Sequence, residues 1–180
     1  ASDAKDVESV TVPAGAVIGE DTITATVDNA TGSIAVDLTA SEGATWALYS
    51  DAECTSEIAD KTIALNFGAN VAYVKVTAED GSEKVYTLTV TRALSSNANL
   101  SGITLSDGEI EFDPAETEYY VEVANTLESI TVDATAADGY ATIEGTGEYA
   151  LTSATTVITL TVTAQDGTEK VYTITVALKK

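Results

Sequence analysis

The chain has 180 residues, with 29 acidic against 8 basic side chains, a formal net charge of −21, a single Cys and no His. Such a charge repels phosphate backbones and anionic lipid, which argues against binding nucleic acid or a membrane face. Without His or a second Cys there is no intrachain disulfide, no multi-cysteine metal cluster and no usual zinc, haem or copper ligand set.

The acids are spread through both halves, 15 against 5 basic residues before Leu94 and 14 against 3 after it. Hydrophobic residues make up 44% and alternate with the polar ones, the pattern of a folded chain. No apolar run reaches membrane-spanning length. No signal-peptide pattern opens the chain, which reads as a mature product or an excised fragment.

Taken in order, the first half offers strands at Val7 to Val12, Thr22 to Val27, Ser33 to Ala40, Ala44 to Tyr49, Thr62 to Phe67 and Val71 to Ala78. In "SIAVDLTA", Ile34, Val36 and Leu38 share one face while Ala35 and Asp37 take the other. The second half offers Leu100 to Leu105, Glu109 to Phe112, Glu118 to Val123, Ser129 to Ala136, Ala141 to Ile143, Thr156 to Ala164 and Val171 to Ala177. Thr and Val dominate, turn residues separate the runs, and no helical period persists. Short strands at this density predict an immunoglobulin-like sandwich in each half.

One line occurs twice. "VTAEDGSEKVYTLTV", Val76 to Val90, returns as "VTAQDGTEKVYTITV", Val162 to Val176, identical at twelve of fifteen positions. Asp80-Gly81 and Asp166-Gly167 predict a tight hairpin turn accepting positive φ. Beyond it Tyr86, Leu88 and Val90 share one face, with Thr87 and Thr89 opposite. Tyr86 and Tyr172 are expected to bury their rings with the hydroxyl on a backbone partner. Folding alone leaves Glu83-Lys84 and Glu169-Lys170 unexplained. The fold class is therefore all-β, as two tandem domains at 1–93 and 100–180, joined by a short hinge-like linker at 94–99. The first domain is longer between Ala40 and Ala78, and an extra hairpin near 46–61 accounts for the surplus.

The second half, "LSGITLSDGEIEFDPAETEYYVEV" with "ITLTVTAQDGTEKVYTITV", resembles the cadherin-like β-sandwich domain that occurs in tandem in bacterial surface and secreted proteins. Leu100, Ser101, Leu105, Gly108, Phe112, Asp113, Pro114, Tyr119, Val121, Val123, Asp166, Gly167 and Tyr172 carry the resemblance. The first half keeps "TAEDGSEKVYTLTVTR" but has no Phe-Asp-Pro turn, so it reads as a diverged sandwich. The resemblance implies a non-catalytic extracellular module with no catalytic motif to carry over.

The residues offer little chemistry of their own. There is no base for a Ser or Thr nucleophile, no nucleophile elbow and no phosphate loop. Scattered carboxylates read as solvated strand faces rather than a glycosidase pair. No cofactor is expected. Calcium is the cation for which carboxylates offer ligands, with Asp166-Gly167 the place to look, yet no calcium-loop motif is present. Cys54 reads as a small, half-buried hydrophobe, because no neighbouring cation would lower its pKa. Lys75, Lys84 and Lys170 are weighed for an internal Lys–Asn isopeptide bond and read as solvated. Trp46 and Tyr49 are the candidate ligand contacts, with Tyr120, Tyr140 and Tyr149 the other tyrosines least explained by strand alternation, against the reading that Trp46 packs beside Leu48.

These readings lead to a spacer, adhesion or presentation unit of a bacterial surface or secreted protein. Its expected partners are other domains of the same chain, and protein or glycan at the cell surface. The alternative is a carbohydrate-binding accessory module of a polysaccharide-degrading enzyme.

Overall fold

The computed structural model describes residues 1–180. The chain divides into two compact units, Ala1–Leu94 and Ser95–Lys180. No helix is long and apolar enough to cross a membrane.

The first unit contains β1 (Val7–Val12), β2 (Val17–Ile18), β3 (Thr22–Val27), β4 (Ser33–Ala35), β5 (Asp37–Ala40), β6 (Thr45–Tyr49), β7 (Thr62–Ala64), β8 (Gly68–Thr77) and β9 (Glu83–Arg92). One layer is a five-stranded sheet in the order β2-β3-β9-β8-β6. The pairs β1-β5 and β4-β7 face it, and β4 and β5 are the two parts of "SIAVDLTA" interrupted at Val36, whose N–H turns to the Lys61 carbonyl. Period-two alternation then decides the core. Ile34, Val36 and Leu38 meet Leu48, Val74, Val76, Tyr86, Leu88 and Val90 from the other layer, all buried.

The second unit contains β10 (Leu100–Leu105), β11 (Glu118–Val123), β12 (Ser129–Ala136), β13 (Thr142–Glu144), β14 (Gly147–Ala150), β15 (Thr155–Thr163) and β16 (Glu169–Leu178). Its layers are β10-β12-β14 and β11-β16-β15-β13. They enclose Leu100, Ile130, Ile158, Leu160, Tyr172 and Ile174, each essentially without solvent exposure. In both units a strand near the start pairs in parallel with the last strand, β3 with β9 and β11 with β16, while the other pairings are antiparallel.

The expected strand at Glu109 to Phe112 does not form. That segment has no neighbouring strand to bond, so it runs as loop while Ile110 and Phe112 pack on the core and Phe112 stacks on Tyr119 at 6.0 Å. The hairpin turn forms at Asp80-Gly81 as expected, although the Asp is not left-handed. Gly81 N–H donates to Ala78 O and Ala78 N–H to Ser82 O, and only Gly81 has positive φ, 86°, so Glu79, Asp80 and Gly81 form a three-residue loop with one left-handed residue. The β15–β16 turn repeats it, with Gly167 at 91°.

The segment after β6 folds back through Ser50 N–H to Ser56 O and Ile58 N–H to Leu48 O, with a single bridge between Tyr49 and Glu57. Asp51 organises this loop by accepting from Thr55 N–H and Ser56 N–H. Residues 95–99 are tied into the second unit, with Ser95 and Ala98 buried.

Between β13 and β14, Gly145 has φ 93° and its backbone lies so close to β15 that a Cβ would stand 2.1 Å from the Thr159 carbonyl oxygen. Gly145→Ala should therefore destabilise the second unit by at least about 2 kcal/mol, read as a lower urea midpoint for its transition.

Candidate functional site

The repeated line places one polar cluster at the same point of each unit. In the second unit Tyr172 is fully buried, and its hydroxyl accepts the N–H of Leu100, the first residue of β10, at 3.0 Å. Two residues earlier, on the same face of β16, Lys170 holds its ammonium 5.0 Å from the Tyr172 ring centroid. That ammonium donates to Asn99 Oδ1 at 2.8 Å and to the Pro114 carbonyl at 3.3 Å.

The first unit builds the same clip with charge. Tyr86 Oη accepts Val7 N–H at 3.2 Å and donates to Asp6 Oδ1 at 3.0 Å. Lys84 Nζ lies 2.9 Å from Asp6 Oδ1 and 4.6 Å from the Tyr86 ring centroid. Bonding to the Tyr86 hydroxyl and then to Asp6 raises the Lys84 pKa. The Lys84 hydrogen bond, followed by that of Tyr86, holds the Asp6 carboxyl below its ordinary value.

The turn completes the arrangement. Asp80 N–H donates to Ser2 O and Asp166 N–H to Ser95 O. Ser2 N–H donates to Glu79 Oε2 and Ser95 N–H to Gln165 Oε1, each at 3.0 Å. The Glu79-for-Gln165 exchange thus keeps one acceptor in one place. Ser95 Oγ also donates to Asp138 Oδ2, and that bond depresses the Asp138 pKa. The two lysines left unexplained by folding pin the chain leading into each sandwich. A sequence signal was present: Ser2 to Val7, "SDAKDV", and Ser95 to Leu100, "SSNANL", share Ser at the start and Asp or Asn before the first core residue.

The other candidates fall into ordinary structural places. Trp46 packs against the first core with Leu48, and Lys61 Nζ lies 3.6 Å above its ring. Tyr49, three residues on, projects from the opposite face of β6, with Lys75 Nζ 5.3 Å from its ring. The two aromatics form no shared platform. Tyr149 turns its hydroxyl to Gly145 O, while Tyr120 is 63% exposed and bonds Glu122.

Lys75 pairs with Glu83 at 3.1 Å. Lys84 and Lys170 do stand beside an acid or amide, but Lys84 is held as an ammonium, which has no lone pair for attack. The Asp166 carboxylate accepts Thr168 N–H inside its own turn, and no three His, Cys, Asp or Glu side chains gather as a metal site. Burial raises the Cys54 pKa and so disfavours the thiolate.

Two β-sandwiches of immunoglobulin-like architecture, each closed by this clip, define the class. The cadherin-like beta sandwich domain profile matches residues 18–93 and 96–178, so the chain belongs to that family. The first half, expected as a diverged relative, is matched as well, over residues 18–93. Domains of this family are typically non-catalytic and usually extracellular.

No curated protein matches the chain. Among solved structures, the chain is similar to protocadherin gamma B2 extracellular cadherin domains 3-6, at 10% identity, TM-score 0.37 and 91% coverage of this chain. It spans 47% of that structure's length. The human desmocollin-1 ectodomain matches at 10% identity, TM-score 0.35, with 92% of this chain and 42% of that one covered. The Clostridium thermocellum CbhA fibronectin(III)-like modules match at 14% identity, TM-score 0.29, with 95% and 93% covered.

Removing the phenol oxygen leaves a buried N–H without a partner. Tyr172→Phe in the second unit, and Tyr86→Phe in the first, should each cost about 1–3 kcal/mol in chemical denaturation. The Asp6 carboxylate, depressed in the folded state, stabilises the first unit above its ordinary pKa of 3.8, and that contribution disappears as pH falls through the lower folded value. Asp6→Asn, which installs the residue found at the second clip, should therefore flatten the loss of first-unit stability on acidification below about pH 4. An unchanged acid profile by circular dichroism would contradict this.

Proposed function

We propose that the chain is a non-catalytic extracellular module of a bacterial surface or secreted protein, serving as a spacer and presentation unit for other domains. The observation carrying this reading is that the repeated polar residues are consumed by the fold. Asp6, Lys84 and Tyr86, with Asn99, Lys170 and Tyr172, bond one another and the backbone of the first strand, leaving no group aimed at a substrate. An acidic, well-solvated surface keeps such a unit from sticking to anionic neighbours. The placement of Trp46 under Lys61, on the face opposite Tyr49, supports this reading over a carbohydrate-binding module.

An antiserum raised against the purified chain should label intact cells of the source organism, or detect the protein in its culture medium. Protease treatment of intact cells should abolish the cell label. Labelling that appears only after permeabilisation would overturn the proposal.

A further inference from the structure

The chain enters and leaves each unit at opposite ends. In the second unit the lead-in segment lies at the β15–β16 turn, where Asp166 N–H bonds Ser95 O at 3.0 Å. From Glu169 to Leu178, β16 then carries the chain about 30 Å away from that turn. Tension along the chain therefore drags the start of the unit towards the turn and its end away from it.

The strands that meet this pull are arranged to slide rather than peel. β10 is drawn along its own axis against β12, from Leu100↔Ala136 to Leu105↔Val132, after the Tyr172 and Lys170 bonds to Leu100 and Asn99. β11 is next, held in parallel to β16 from Glu118↔Thr173 to Val123↔Leu178. Pulling β11 by its beginning and β16 by its end strains every bond of that ladder together. In an antiparallel hairpin opened from its free ends, the bonds break one after another.

The first unit repeats the order of resistance. β1 slides against β5, and β3 is held in parallel to β9 from Thr22↔Thr87 to Val27↔Arg92. The last strand is anchored where the pull leaves. Arg92 donates to Asn29 O at 2.7 and 3.1 Å and to Leu65 O at 2.9 Å, fastening the end of β9 to loops of both layers. In the second unit Lys179 N–H bonds Val123 O at 2.9 Å, one residue beyond the ladder.

We infer that each unit is a mechanical element that resists tension applied along the chain, through two successive ladders loaded in shear. Its biological sense rests on the spacer reading, since a spacer between a surface and a presented domain carries whatever force acts on that domain.

Single-molecule force spectroscopy on the full chain tests this. Pulled from its two termini, the chain should unfold in two separate events, each lengthening it by about 300 Å. A Cys54→Ser, Ala154→Cys chain offers a second geometry, with handles at residue 154 and the C-terminus, because Leu178 N–H bonds Ala154 O and the pull then unzips β15 from β16.

The second-unit force between termini should exceed the unzipping force by at least about twofold, since a ladder of bonds between strands yields together in shear. Equal forces, or a lower force between termini, would overturn the inference. If Ala154→Cys lowers the melting temperature, Ser153→Cys provides the same geometry from an exposed position. Equal forces would leave surface labelling intact, whereas labelling confined to the cell interior would leave the forces standing, so the two failures are distinct.

Discussion

In each sandwich a fully buried tyrosine carries its hydroxyl from the last strand across the core to the backbone that begins the first strand, Tyr86 to Val7 and Tyr172 to Leu100. A phenol and an N–H withdrawn from water are each costly alone and satisfied together. The bond also sets register. Strands β1 and β10 each pair with only one neighbour, β5 and β12, and a slip by one residue would turn their apolar face to solvent. With residue 7 or 100 tied to a fixed point in the opposite layer, that slip costs a buried hydrogen bond as well as core burial.

The two clips show which part of the arrangement is exchangeable. Lys84 meets a carboxylate and Lys170 meets an amide, at nearly the same distance. Asp6 is exposed, so water screens its ion pair, and the charge adds to a carboxylate that the Tyr86 hydroxyl also bonds. Glu79 and Gln165 make the same point, since both serve as an oxygen acceptor for a serine N–H. What recurs without variation is the geometry around the buried phenol.

The faces of the strands were legible from the sequence because period two leaves no choice. Once Tyr86, Leu88 and Val90 are inside, Thr87 and Thr89 are outside. The same rule puts Trp46 and Tyr49, named together as candidate ligand contacts, on opposite faces, since they stand three residues apart on one strand. Alternation reports side-chain burial, however, and not backbone pairing, which is why Glu109 to Phe112 mimicked a strand while being a loop with Ile110 and Phe112 tucked in. Of each Asp-Gly pair read as accepting positive φ only the Gly does so, because the three-residue loop needs one left-handed residue where the two-residue turn favoured by Asp-Gly needs two. The partners of Lys84 and Lys170 lie 78 and 71 residues away in sequence, so the shared Asp or Asn before the first core residue could be linked to them only through the fold.

The solvent faces of the parallel ladders differ as much as the clips agree. In the first unit Thr22, Thr24 and Thr26 stand beside Thr87, Thr89 and Thr91, an uncharged field of hydroxyls and methyls. In the second, Glu118, Tyr120 and Glu122 occupy the corresponding strand, so the same architectural position is acidic and carries an exposed aromatic ring. Within one chain, then, the residues that hold the sandwich together are repeated, as are outward threonines of the last strand, while the outer face of the strand beside it differs. An enzyme built by duplication would be expected to spend its repeated polar residues on chemistry. Here they are spent on fastening the first strand, and any individuality of the two units resides on the outer faces. That division of labour suits a module whose common task is to hold position while its surface is free to vary.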